Sequence, residues 1–307
     1  MNRDFLNIKD LSNKDIETIF SLATELKKDR LKYINSLKGK TIGLIFQKPS
    51  NRTRVSFEVG VFQLGGHTIY LKPEDINVGV RESIPDVAQT LSRYIDGIVI
   101  RTFGHKIIME LAKHATIPVI NGLSDLLHPC QALSDAFTIK EKFGDLRKLT
   151  LTYVGDGNNV CHSLLEVCAK TGMNCNIGTP KRYGPSKEIV EESQVIAAKT
   201  GSKIALYNDA KDAVENSDVV YTDVWASMGK EQEAWGRKMV FNKFQVNKRL
   251  MSVAKPNALV MHCLPAHRGL EITDDVIDGP NSIVFDQAEN RLHIQKAILL
   301  LLLGGKA

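Results

Sequence analysis

The feature that most constrains this chain is a series of short, uninterrupted apolar runs, each followed by a turn and then a helical pattern. The runs fall at 41–46 (TIGLIF), 97–101 (GIVIR), 118–121 (PVIN), 149–154 (LTLTYV), 174–178 (NCNIG), 219–222 (VVYT), 258–262 (ALVMH) and 282–285 (SIVF). Most are β-branched and continuous rather than alternating, as strands buried on both faces are. Between them lie helical patterns at 54–64, 83–94, 162–171 and 286–303, with another helix starting near Gln131. Strand and helix in alternation predict an α/β protein with parallel sheets.

The polar, glycine-containing stretch Phe143-Gly144-Asp145-Leu146-Arg147 marks a boundary, after which a fresh strand–turn–helix series begins. We therefore expect two doubly wound parallel-sheet lobes with an active-site cleft between them: residues 1–143 and residues 144–286. In such sheets ligands gather outside the carboxyl ends of strands, so functional residues should follow the strands directly. A formal net charge of +5 with scattered basic residues leaves no arm or stripe for nucleic acid. The polar start MNRDFLNIKDLSNKD and an apolar run only from Ala297 to Leu303 point to a cytoplasmic protein. Five cysteines without a C-x-x-C pair suggest neither a disulfide framework nor a zinc site.

Five clusters follow strands. The first, Lys48-Pro49-Ser50-Asn51-Arg52-Thr53-Arg54, sits between a strand and a helix. Helix N-terminal N–H groups, the positive dipole end and two arginines would together make an anion site. The same residues also describe an ordinary N-cap with solvated arginines. Arg101 closes the strand GIVIR, where it could face a ligand or water. The second cluster, His128-Pro129-Cys130-Gln131, enters a helix; the His–Pro step holds the backbone extended. A structural histidine fits it equally well.

The third cluster, Gly155-Asp156-Gly157-Asn158-Asn159-Val160, looks like the first turn of a dinucleotide fold. Val160 takes the place of the third glycine, and the next strand ends Gly178-Thr179-Pro180 without the acid that would hold a ribose. A turn presenting Asn158 and Asn159 to a polar ligand fits better. The fourth runs Asp223-Val224-Trp225-Ala226-Ser227-Met228-Gly229; Asp223 is suited to pair with an ammonium group. The fifth is His262-Cys263-Leu264-Pro265-Ala266-His267-Arg268-Gly269. His262 and Cys263, adjacent in an extended segment, would face opposite ways, which argues against a shared metal. A Cys263 nucleophile with His267 as base remains the chemical alternative.

Taken in order, these clusters resemble the carbamoyltransferase family along almost the whole chain. Ser50-Asn51-Arg52-Thr53-Arg54 resembles its Ser-Thr-Arg-Thr-Arg loop, and His128-Pro129-Cys130-Gln131 its HPCQ segment. Asp223-Val224-Trp225 with Ser227-Met228-Gly229, and His262-Cys263-Leu264-Pro265, resemble segments of the members that use ornithine. Asn51 replaces the usual Thr, a change that spares backbone N–H donation. Asn77 stands where many members have Gln, which is longer by one methylene.

The resemblance implies transfer of a carbamoyl group from carbamoyl phosphate to the δ-amine of ornithine, with neither metal nor organic cofactor. It implies a homotrimer, and a last helix (287–307) packed on the first lobe. Carbamoyl phosphate would be held by Ser50, Asn51, Arg52, Thr53, Asn77, Arg101, His128, Gln131, Cys263, Leu264 and Arg291. Ornithine would be held by Asn159, Asp223, Ser227 and Met228. Arg101, His128, Asp223 and Cys263 would carry the catalysis.

Overall fold

The computed structural model describes residues 3–76, 78–226 and 233–304. The chain divides into two compact units, one of residues 1–137 with 289–307 and the other of residues 138–288.

The first unit is built on a four-stranded, all-parallel sheet. Its strands are β1 (Thr41–Phe46), β2 (His67–Leu71), β3 (Gly97–Arg101) and β4 (Val119–Leu123), ordered β2-β1-β3-β4. β3 and β4 are buried along their whole length and β1 nearly so, which is why their sequences are continuous apolar runs. Ile45, Ile98, Ile100 and Val119 pack with Val87, Ile108 and Leu111 from the helices Ile84–Tyr94 and His105–His114. Each such side chain contributes roughly 1.5–3 kcal/mol by leaving water.

The second unit carries β5 (Thr150–Val154), β6 (Asn174–Gly178), β7 (Ile204–Tyr207), β8 (Val219–Thr222) and β9 (Leu259–His262), again all parallel, ordered β7-β6-β5-β8-β9. Its core joins Val154, Val220 and Val260 to Trp225, Phe241 and Phe244.

The expected α/β architecture with two parallel sheets is what the structure has. Two strands escaped the sequence reading, β2 and β7. Both are edge strands whose residues are only partly buried, so they lack the continuous apolar run that marks a central strand. The expected strand at 282–285 does not form. Ser282 makes a single bridge to Val260, and a helix begins at Val284. The helix runs Val284–Leu303, and its residues from Glu289 onward belong to the first unit. There the Lys296 ammonium donates to the Arg30 carbonyl and the Gln63 amide oxygen, both at 2.9 Å. Burial lowers its pKa to about 8.

Each sheet has one place where successive crossovers leave in opposite directions. In the first unit this lies between β1 and β3, and in the second between β5 and β8. Such switch points open a crevice at the strands' carboxyl ends.

Candidate functional site

In the first unit, β1 and β3 pair with Phe46 opposite Arg101, so the segment leaving β1 starts beside that arginine. The Gln47 N–H donates to the Arg101 carbonyl at 2.8 Å. Four residues on, the helix Asn51–Gln63 begins, capped by Ser50, whose hydroxyl accepts from the Thr53 N–H at 3.2 Å. Its N-terminal turn carries the positive end of the helix dipole at the switch point.

Arg291, 3% exposed, reaches this turn from the last helix. One guanidinium nitrogen donates to the Thr53 hydroxyl at 3.1 Å and another to the Gln131 amide oxygen. The Gln131 amide nitrogen in turn donates to the Asp135 carboxylate at 2.8 Å, one helical turn along Pro129–Phe143. That buried carboxylate orients the amide, a role invisible in the sequence except as a polar residue four positions on. Pro129 opens the helix, where its missing N–H costs nothing.

His128 is buried beside this group. Burial first, and then the positive charges of Arg291, Arg101 and Arg52, hold its pKa well below the ordinary imidazole value. It is therefore neutral at neutral pH, a hydrogen-bonding group among cations. The structure thus brings Arg52, Thr53, Arg101, His128, Gln131 and Arg291 together. Arg54 goes elsewhere: it pairs with Glu58 at 2.9 Å and stacks over the Tyr70 ring at 3.7 Å. Asn51 is exposed at the start of the helix, and Asn77 lies outside the described residues.

In the second unit the register does the equivalent work. β8 and β9 pair with Thr222 opposite His262, so the residues that follow, Asp223 and Cys263, are neighbours. The Cys263 thiol donates to the Asp223 carboxylate at 3.0 Å. Asn158, across the switch point, donates to the other Asp223 oxygen at 2.7 Å. Its own amide oxygen accepts from the N–H groups of Val160 and Cys161, capping the helix Asn159–Thr171. Asn158 is thus occupied with the cap and with Asp223, whereas Asn159 opens the helix half-exposed. The turn needs glycine at 157, where a Cβ would meet the backbone of Pro185 and Gly184 at 2.2 and 2.3 Å.

Beyond Asp223, the buried Arg237 pairs with Asp156 at 2.8 Å and donates to the Trp225 carbonyl at 2.8 Å. Ser227 and Met228 lie outside the described residues.

The expectation that His262 and Cys263 face apart is not met. The strand ends at His262 and the chain turns at Leu264, whose φ of +56° is left-handed, so strand alternation stops there. Donor atoms of Asp223, His262 and Cys263 lie within 4.8 Å of one another. Both His262 ring nitrogens are engaged, however. Nδ1 accepts from the Leu264 N–H at 2.8 Å, and Nε2 lies 3.2 Å from the Glu271 carboxylate. A cation there would have to displace one of these bonds.

Residues 3–141 match the carbamoyl-phosphate-binding domain of the aspartate/ornithine carbamoyltransferases, and residues 147–302 match their aspartate/ornithine-binding domain. An ornithine carbamoyltransferase of Thermococcus kodakarensis is 52% identical over 305 residues, covering 99% of this chain and 97% of that protein. One from Anoxybacillus flavithermus is 52% identical over 303 residues, 98% of this chain and 96% of its own. Among solved structures, ornithine carbamoyltransferase from Pyrococcus furiosus superimposes with a TM-score of 0.96 at 51% identity, over 99% of this chain and 98% of that one. The anabolic enzyme of Campylobacter jejuni gives 0.92 at 37% identity, over 97% and 98%.

Proposed function

The chain belongs to the aspartate/ornithine carbamoyltransferase family, and from that premise we propose how its two clusters divide the work of making citrulline and phosphate from carbamoyl phosphate and ornithine. The observation that carries the reading is the buried His128 set among Arg52, Arg101 and Arg291 beside a capped helix N-terminus.

Carbamoyl phosphate brings a dianion next to a carbonyl carbon. The dianion calls for fixed positive charge and N–H donors, which Arg52, Arg101, Arg291 and the turn Ser50–Thr53 supply. Because Ser50 already accepts from the Thr53 N–H, the Thr53 contribution is its hydroxyl, oriented by Arg291. As the amine adds, the carbonyl oxygen gains charge. Arg101 and a neutral His128 donating one N–H stabilise it without a proton changing hands. Gln131, held between Arg291 and Asp135, presents its amide to the carbamoyl nitrogen.

The nucleophile is the uncharged δ-amine. Asp223, gripped by Asn158 and Cys263, is the acceptor that aligns it, and Asn159, Ser227 and Met228 hold the amino-acid end. The thiol of Cys263 donates to Asp223, an arrangement suited to orienting the carboxylate rather than attacking carbon. Leu264 contributes backbone next to it. Attack is direct: the C–N bond forms, the C–O bond to phosphate breaks and the amine proton leaves with the phosphate, so orientation and electrostatics supply the rate. Neither metal nor organic cofactor enters this scheme.

Ornithine as acceptor rests on the Asp223–Gly229 and HCLP segments and on the ornithine carbamoyltransferases above. A place in arginine synthesis and a cytoplasmic setting follow the same reading. Among the described residues, no helix is long and apolar enough to cross a membrane. The homotrimer is supported by the family resemblance and by exposed Val55, Val59 and Phe62 along one helix.

The experiment is a citrulline assay offering ornithine, putrescine, N-acetylornithine and aspartate with carbamoyl phosphate. Product from ornithine alone is expected. Preference for another amine would overturn the acceptor assignment.

A further inference from the structure

Glu271 is a carboxylate 0% exposed, in the second unit, with no part in the chemistry above. One oxygen accepts from two directions: the His262 Nε2 at 3.2 Å and the His267 backbone N–H at 2.5 Å. His262, also 0% exposed, accepts from the Leu264 N–H through Nδ1 at 2.8 Å. An imidazole nitrogen that accepts carries no proton, so the ring proton sits on Nε2 and is donated to Glu271. The tautomer is set by these two bonds.

The bonds tie down both ends of the segment 262–267. The His262 backbone is pinned as well, its N–H donating to the Gln287 amide oxygen at 3.0 Å. Within the segment lies Leu264 at φ +56°, a left-handed conformation costly for a residue with a branched side chain. Between the pinned strand end and that residue stands Cys263, its thiol 3.0 Å from Asp223. Ahead of Pro265, the Leu264 N–H bond to His262 holds this backbone in place.

We propose that Glu271 is a positioning residue for the amine-accepting end of the site, acting through His262 to hold the Cys263–Leu264 turn and hence the Cys263–Asp223 contact. Glu271 touches no reactant. Its carboxylate fixes the imidazole, the imidazole fixes the Leu264 N–H, and the turn aims the thiol. The consequence for turnover rests on the reading of this unit as the ornithine side; the consequence for the thiol does not.

Two readouts separate these. Cys263 is partly exposed while the other four cysteines are buried, so iodoacetamide reports on it selectively, with Cys263→Ser as the blank. Glu271→Ala should change the Cys263 alkylation rate and raise the KM for ornithine, each by about tenfold, a loss expected from a small misplacement. Should the alanine variant not fold, Glu271→Met fills the space without an acceptor oxygen. Glu271→Gln keeps that oxygen and should hold both quantities within about threefold of the parent. On top of His262→Ala, the Glu271→Ala change should add less than its effect alone, because only the His267 N–H bond is left to lose.

Parental alkylation and ornithine KM in a folded Glu271→Ala protein would overturn the proposal. So would a glutamine variant as impaired as the alanine one, or additive effects with His262→Ala. Failure of the parent to make citrulline would refute the functional reading alone, leaving the alkylation result to judge Glu271.

Discussion

Replacing Arg291 by methionine tests the anion cluster where it is most demanding. The side chain is buried, and two of its nitrogens already serve the protein, one on Thr53 at 3.1 Å and one on Gln131. A guanidinium has further N–H groups to offer a phosphate oxygen. Counting one charge-assisted bond to the ligand, at roughly 1.5–3 kcal/mol, the variant should bind a phosphonate mimic of carbamoyl phosphate about 10- to 150-fold more weakly. Calorimetry on the folded variant measures this. Arg291→Lys keeps the charge but loses the fork and should fall between. A second readout is independent of ligand. Arg291 stands second only to burial among the causes that depress His128, so its removal should bring the His128 titration back toward the ordinary imidazole value, visible by NMR. Binding within about threefold of the parent, with an unmoved His128, would refute the reasoning.

Removing either Arg101 or His128 should lower kcat by roughly 10²-fold or more, the scale of a lost oxyanion donor; near-parental turnover of either would remove it from the catalytic set. Cys263→Ser should slow turnover, and mass spectrometry of the parent during turnover should find no carbamoyl thioester; a carbamoylated Cys263 would restore the nucleophile alternative. Acid should weaken the fold through the buried His128 and His293 and the half-buried His105. Burial lowers His128, His105 and His293, so below about pH 6.5 the unfolded chain binds protons that the fold refuses. Stability is then full above that pH and falls beneath it, by up to about 1.4 kcal/mol per pH unit for each group until its folded pKa is passed. Urea midpoints against pH should show this, with a shallower slope in His128→Gln. Gly157→Ala, forced against the backbone of Gly184 and Pro185, should cost about 3 kcal/mol or more, or fail to fold; a parental melting temperature would contradict the turn.

The central strands and the capped turn after β1 could be read from residues near one another in the chain. A strand buried on both faces must be apolar throughout, and Ser50 caps a helix through a bond to Thr53, three residues away. The family segments extended that reading to residues whose roles no local pattern reveals. Partners separated by long stretches of chain were another matter. Arg291 meets Thr53 across 238 residues, and Asp223 meets Cys263 only because β8 lies beside β9. The edge strands β2 and β7, the aborted strand at 282–285 and the Glu271–His262 pair were likewise hidden. Local pattern records whether a residue prefers a strand, a cap or a buried face. It does not record which strand lies next to which, and strand order and register decide which side chains meet.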